Sequence, residues 1–123
     1  MSTIKANTLL HSDGSTTTQP SIPALAPAMA KVWCSFSMVS QTLYDSYGVS
    51  SIADSGVGNT TVNYSTSMAT NHYCIALGFH KVQNWDEQLQ YTGPSASSVL
   101  LRNYTGAIEA IDTDHVSIVI FDN

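Results

Sequence analysis

GVSSIADSGVGNTTVNYS, residues 48–65, carries the clearest structural signal in the chain. Val49 to Ile52 is rich in β-branched and small polar residues. Gly56-Val57-Gly58-Asn59 supplies residues that tolerate positive φ, and from Thr60 to Ser65 the pair Val62/Tyr64 alternates against Thr61/Asn63/Ser65. Two β-type runs meeting at a glycine-containing turn predict a hairpin, one face apolar and buried, the other carrying Thr, Asn and Ser toward water.

On both sides of this hairpin the pattern is strand after strand. Candidate strands are Lys31–Ser37, Gln41–Tyr47, Val49–Ala53, Thr60–Ser65, His72–Val82, Ser97–Tyr104 and His115–Phe121. Seven short strands at this spacing predict an all-β domain, a small antiparallel β-sandwich or jelly-roll-like barrel over residues 31–123. Val82–Tyr91 reads as a short helical turn or part of a long hairpin loop, and Gln83–Ala96 as the longest irregular stretch. The last strand is the most apolar window. It places Val116, Ile118 and Ile120 on one face and Val119 and Phe121 on the other, so something beyond a second sheet of the same chain should cover it, with a partner subunit the natural candidate.

Residues 1–30 differ. A β-compatible run, Ser2 to Leu10, precedes a Thr tract and then Pro20, Pro23 and Pro27. Proline removes ladder donors and sets φ, so residues 19–29 should be extended rather than sheet or helix. Such a segment has no core of its own and is read as an extended arm that orders along a partner surface.

The 123 residues suit one small domain. Only 11% are charged and the formal net charge is −5. The basic residues Lys5, Lys31, Lys81 and Arg102 are scattered, which excludes the electrostatic footprint of a nucleic-acid binder and a polybasic membrane patch. No signal-peptide pattern opens the chain and no run approaches the roughly twenty apolar residues that span a bilayer, so a soluble protein made in the cytosol without export is expected. Cys34 shares the parity of Val32 and Phe36, whereas Cys74 alternates away from Tyr73, Ile75, Leu77 and Phe79. One thiol should point inward and the other outward, against an intrachain disulfide.

Several blocks resemble a module common in tailed bacteriophages. They are Ala30-Lys31-Val32-Trp33-Cys34-Ser35-Phe36, then Tyr47-Gly48-Val49-Ser50-Ser51-Ile52-Ala53-Asp54-Ser55-Gly56-Val57-Gly58, then Thr61-Val62-Asn63-Tyr64-Ser65-Thr66-Ser67-Met68 and Asn71-His72-Tyr73. Such modules read A-K-A-W-V-N-F, Y-N-V-S-S-I-T-D-N-G-T-G, Y-T-V-N-F-T-T-A-M and N-Y. The resemblance continues in Ser97–Tyr104 and Asp114–Phe121, and the opening Met1–Thr8 is similar to the starts of many tail proteins. Cys34, Ser35 and Ser37-Met38-Val39-Ser40 depart from the pattern without breaking its alternation. The resemblance implies a virion structural protein, a homotrimeric tail fibre or fibre-like subunit, made in the host cytoplasm. Its arm, Ser2, Thr3, Ile4, Lys5, Ala6, Asn7, Thr8, Leu9 and Leu10, would attach it to other virion proteins of tail or capsid by strand addition. A capsid decoration protein and a free carbohydrate-binding module are the alternatives.

Catalytic and cofactor readings find little in the residues. His11, His72, His80 and His115 show no nucleophile or metal spacing, and Glu109, Asp112 and Asp114 lack a calcium-loop pattern and read as a solvated turn. Asp86-Glu87 reads as loop charge rather than a glycosidase pair. No enzyme, metal or cofactor is therefore expected. Aromatic residues are the better binding candidates: Trp85, Gln88, Gln90 and Tyr91 for a host-surface glycan or protein, and Trp33, Val119 and Phe121 for a subunit interface.

Overall fold

In the computed structural model, residues 6–8, 10–14, 26–80 and 86–122 are described. Among the described residues, eight antiparallel strands form two four-stranded sheets. They are β1 (Val32–Ser37), β2 (Thr42–Tyr47), β3 (Val49–Asp54), β4 (Asn59–Tyr64), β5 (Cys74–His80), β6 (Gln88–Thr92), β7 (Ser98–Tyr104) and β8 (His115–Phe121). The first sheet has the order β2-β1-β8-β5 and the second β3-β4-β7-β6, giving an all-β sandwich.

The 48–65 stretch is the β3–β4 hairpin, paired from Val49↔Tyr64 to Asp54↔Thr60. Its alternation is the predicted one, since Thr60, Val62 and Tyr64 are buried while Thr61 and Asn63 lie on the other face. Asp54 closes the turn by accepting the Gly56 N–H at 2.8 Å, and Asn59 N–H donates to the Gly56 carbonyl at 2.8 Å. Gly58, at φ +67°, lets the turn lie directly on the neighbouring backbone: its carbonyl accepts the Asn103 N–H at 2.8 Å, and its own N–H donates to Asp112 Oδ1 at 2.6 Å. Gly48, at φ +72°, is the single residue between β2 and β3, where the chain leaves one sheet and enters the other. A Cβ there would strike the Lys31 carbonyl oxygen, so the crossing needs glycine.

The core lies between the inner faces. Val32, Cys34 and Phe36 of β1 face Ile120, Ile118 and Val116 of β8 across the ladder, and the second sheet contributes Val62, Tyr64, Val99 and Leu101. Each such side chain stabilises the fold by roughly 1.5–3 kcal/mol through burial. Tyr64 and Tyr73 meet hydroxyl to hydroxyl at 2.8 Å inside this layer, and Tyr73 also donates to the Ser95 carbonyl at 3.0 Å.

Three expectations are corrected. The irregular stretch 83–96 contains a strand, β6, which pairs with β7 from Gln88↔Tyr104 to Thr92↔Leu100; Leu89 alone supplies its inward anchor, and one apolar residue is too weak a periodic signal. No helical turn occupies the described part of 82–91. Of the segment 19–29 expected to be extended, residues 19–25 fall outside the described residues, and Ala26–Ala28 forms a 3-10 turn, with Pro27 at a position where its ring-set φ suits that geometry. In the 2–10 run, Ala6, Asn7, Thr8 and Leu10 lie outside any strand, while Ser2, Thr3, Ile4, Lys5 and Leu9 fall outside the described residues.

Candidate functional site

The outer faces of the two sheets differ in chemistry, and the difference follows from register. On the first sheet, Trp33 stands opposite Tyr47 of β2 and Val119 of β8, and Val119 stands opposite Ala76 of β5. These four side chains make one row across all four strands. Phe121, paired with Cys74, continues the same face two residues along β8. The three residues singled out for a subunit interface, Trp33, Val119 and Phe121, are thus brought onto one surface, each half-buried. Beyond Phe121 the face runs into an open cleft of about 460 Å³ whose walls include Pro27, His72, Tyr73, Cys74 and Asp122.

Further along the face the row becomes polar. Asp45, Ser35, Ser117 and Gly78 are in register, followed by His115 opposite His80. The Ser35 hydroxyl lies 2.9 Å from His115 Nε2, and the Tyr44 ring packs on the His115 ring at 5.7 Å with a 34° tilt. Tyr44 is the extra residue of a β-bulge, since Ser35 pairs with Asp45 but Phe36 with Leu43. The bulge turns its ring outward, 51% exposed, and hence Tyr44 could not be assigned to a face by alternation.

The second sheet's outer face carries Ser51, Ala53, Asn59, Thr61, Asn63, Ser98, Leu100, Arg102 and Tyr104 by the same register argument, with Leu100 standing between Thr61 and Thr92. Gln88 and Gln90 join it opposite Tyr104 and Arg102. The Arg102 guanidinium sits 5.5 Å from the Tyr104 ring centre, and its Nε donates to Asn59 Oδ1 at 3.0 Å. Tyr91 is not with them. It pairs with the inward Leu101 yet remains 46% exposed at the open edge of the sandwich. The candidate contact set is therefore divided: Gln88 and Gln90 on a sheet face, Tyr91 on the opposite side of the same strand, and Trp85 outside the described residues.

Carboxylates read as loop charges act as staples. Asp112 holds the Gly58 N–H, Asp114 Oδ1 accepts the Ser37 hydroxyl at 3.0 Å, Asp86 Oδ2 accepts the Gly106 N–H at 3.0 Å, and Glu87 Oε2 accepts Asn103 Nδ2 at 3.2 Å. Among the described residues no three His, Cys, Asp or Glu side chains are placed to hold a metal ion. Cys34 is buried and Cys74 exposed on the outer face, as their parity predicted, and both are free thiols. Burial pushes the Cys34 thiol up to about 12, which leaves it protonated and unreactive. Burial likewise raises Tyr64 above the ordinary phenol range, reinforced by its bond to Tyr73.

No family model, curated protein or solved structure matches this chain.

Proposed function

We propose that the chain is a non-enzymatic structural subunit of a tailed-phage virion, a fibre-like protein that assembles as a homotrimer and is held on the particle by its amino-terminal arm. The observation that carries this reading is the contrast between the two outer sheet faces. One is mostly hydroxyl and amide groups, as is ordinary for a wetted sheet, with Leu100, Ala53 and Tyr104 set singly among them. The other sets Tyr47, Trp33, Val119 and Ala76 in an unbroken row with Phe121 and Cys74 beside it. An aromatic and aliphatic row of this kind on a small domain marks a surface that a partner covers. The block resemblance supplies the setting, a repeated virion component, and supports copies of the same chain as the partner.

On this reading any contact with a host glycan or protein uses the outward face of β6 and β7, where Gln88 and Gln90 adjoin Arg102 and Tyr104, rather than a loop tip. The test is the mass of the purified chain by light scattering. Val119→Lys, which places a charge at the middle of the apolar row, lowers the mass threefold while the strand signal in circular dichroism persists. An unchanged mass in a folded Val119→Lys protein defeats the reading.

A further inference from the structure

Each sheet of an open sandwich ends in two edge strands, and natural sequences blunt such edges with charge, bulges, proline or shortness. Three of the four edges here are blunted. β2 carries Asp45 and the bulge at Tyr44. β3 ends in Asp54 and is bulged at Ser50, where the register shifts between Val49 and Ser51. β6 is only five residues long, with glutamines alternating along it and Asp86 and Glu87 directly before it.

β5 has none of these devices. Its sequence, CIALGFH, holds no carboxylate, lysine, arginine or proline, and its pairing with β8 is unbroken from Cys74↔Phe121 to His80↔His115. Among the described residues, β8 is its only ladder partner. Its inward side chains are also incompletely covered. Ile75 and Leu77 are half-buried and Phe79 is 36% exposed, whereas the residues opposite them on β8, Ile120, Ile118 and Val116, are fully enclosed.

We propose that β5 is the docking edge for β5 of a second copy, joined antiparallel about a twofold axis at Leu77 into a continuous eight-stranded sheet. The strand is complementary to itself in that register. Leu77 meets Leu77 of the second copy, Ile75 meets its Phe79, Ala76 meets its Gly78 and Cys74 meets its His80. The apolar inward set therefore continues across the junction and covers Phe79, and no like charges are opposed. Opposed residues of an antiparallel pair share a face, so both sandwiches keep their cores on one side of the joined sheet. An isologous contact of this kind closes on itself and consumes the edge. It uses the backbone edge of β5 rather than the outer face, and although Ala76 and Cys74 belong to both, it leaves Trp33 and Val119 untouched and so is a contact distinct from the trimer contact proposed above.

Two variants test it on the full-length chain. Phe79→Lys charges the rim without touching the outer row, and sedimentation analysis should give it half the mass of the wild type. His80→Cys tests the register: opposed Cα atoms in an antiparallel pair lie about 4.5–5.5 Å apart, within the span a disulfide accepts. Under oxidised glutathione, the thiol introduced at position 80 of one copy should join Cys74 of the other and yield a two-chain species in denaturing gels. The wild type should not cross-link, because its two Cys74 residues would sit at opposite ends of the junction, roughly 20 Å apart at strand rise. Equal masses for wild type and a folded Phe79→Lys protein overturn the proposal. So does a His80→Cys protein that remains a single chain, which decides the matter even if Phe79→Lys does not fold. Failure of the trimer contact would show only in Val119→Lys.

Discussion

Replacing Gly58 by alanine should be among the most damaging single changes available in the hairpin. At φ +67° an L-residue costs roughly 1–2 kcal/mol relative to glycine. The added Cβ would also lie 2.5 Å from the Asn103 carbonyl oxygen and 2.7 Å from the Ile111 nitrogen. Both are backbone atoms of packed segments and neither can rotate away, so overpacking adds about 1–3 kcal/mol. Gly56, two residues earlier in the same turn, is the internal control. It too has positive φ, +109°, but nothing lies within 4 Å of its Cβ position. Gly56→Ala should therefore carry only the backbone cost. The backbone cost is larger at Gly56, because φ +109° lies outside the left-handed well that φ +67° occupies. Urea unfolding should therefore place Gly58→Ala below Gly56→Ala by less than the full clash, on the order of 1 kcal/mol, and thermal melting by roughly 4 °C for a chain of this size. If Gly58→Ala is no less stable than Gly56→Ala, the close docking of the turn on Asn103 and Ile111 is wrong.

Tyr73→Phe should cost about 1–3 kcal/mol, because it leaves the buried Tyr64 hydroxyl without its partner. Tyr64→Phe should cost less, since Tyr73 still donates to Ser95, and the double variant should cost less than Tyr73→Phe alone in a urea-unfolding cycle because the orphaned hydroxyl is gone; additive losses would contradict the shared network. Alkali should unfold the protein through Cys34. Its thiol is raised in the folded state to about 12, so its contribution is fully present below the ordinary thiol range and is lost as pH climbs toward that value. The loss is about 1.4 kcal/mol per pH unit for one group. Cys34→Val should flatten the pH dependence of the urea midpoint over that window, and an equally steep curve would show that the buried thiol is not responsible. Tyr64 and Tyr73, both raised by burial, add to the loss from the ordinary phenol range upward, so Cys34→Val should flatten chiefly the part of the curve below that range.

Strand identity is readable wherever a run alternates strongly. Val62 and Tyr64 against Thr61 and Asn63 place β4, and the apolar run Val116–Phe121 places β8, because a two-residue period with bulky β-branched and aromatic residues has few other solutions. β6 is not legible in the same way, because Leu89 is its single inward anchor and its pairing energy comes from β7, a partner invisible to local pattern. The candidate interface residues divide likewise. Parity puts Trp33 on the side opposite Cys34 and Val119 on the side opposite Ile118. Parity says nothing of which strands are neighbours, and so could not place Tyr47 and Ala76 in the same row or set His80 against His115.

Local stereochemistry, written in the residues themselves, thus specifies the class of the fold, the inward and outward assignment within its strongest strands and the turn at Gly56–Asn59. It acts through a period of two and through glycine's tolerance of positive φ. The strand order β2-β1-β8-β5 and β3-β4-β7-β6, the bulge that turns Tyr44 outward, and the edge left unblunted emerge only in three dimensions. Those depend on contacts between residues far apart in the chain, such as Trp33 with Val119 and Gly58 with Asn103, which form only when the two sheets have paired and closed over one core.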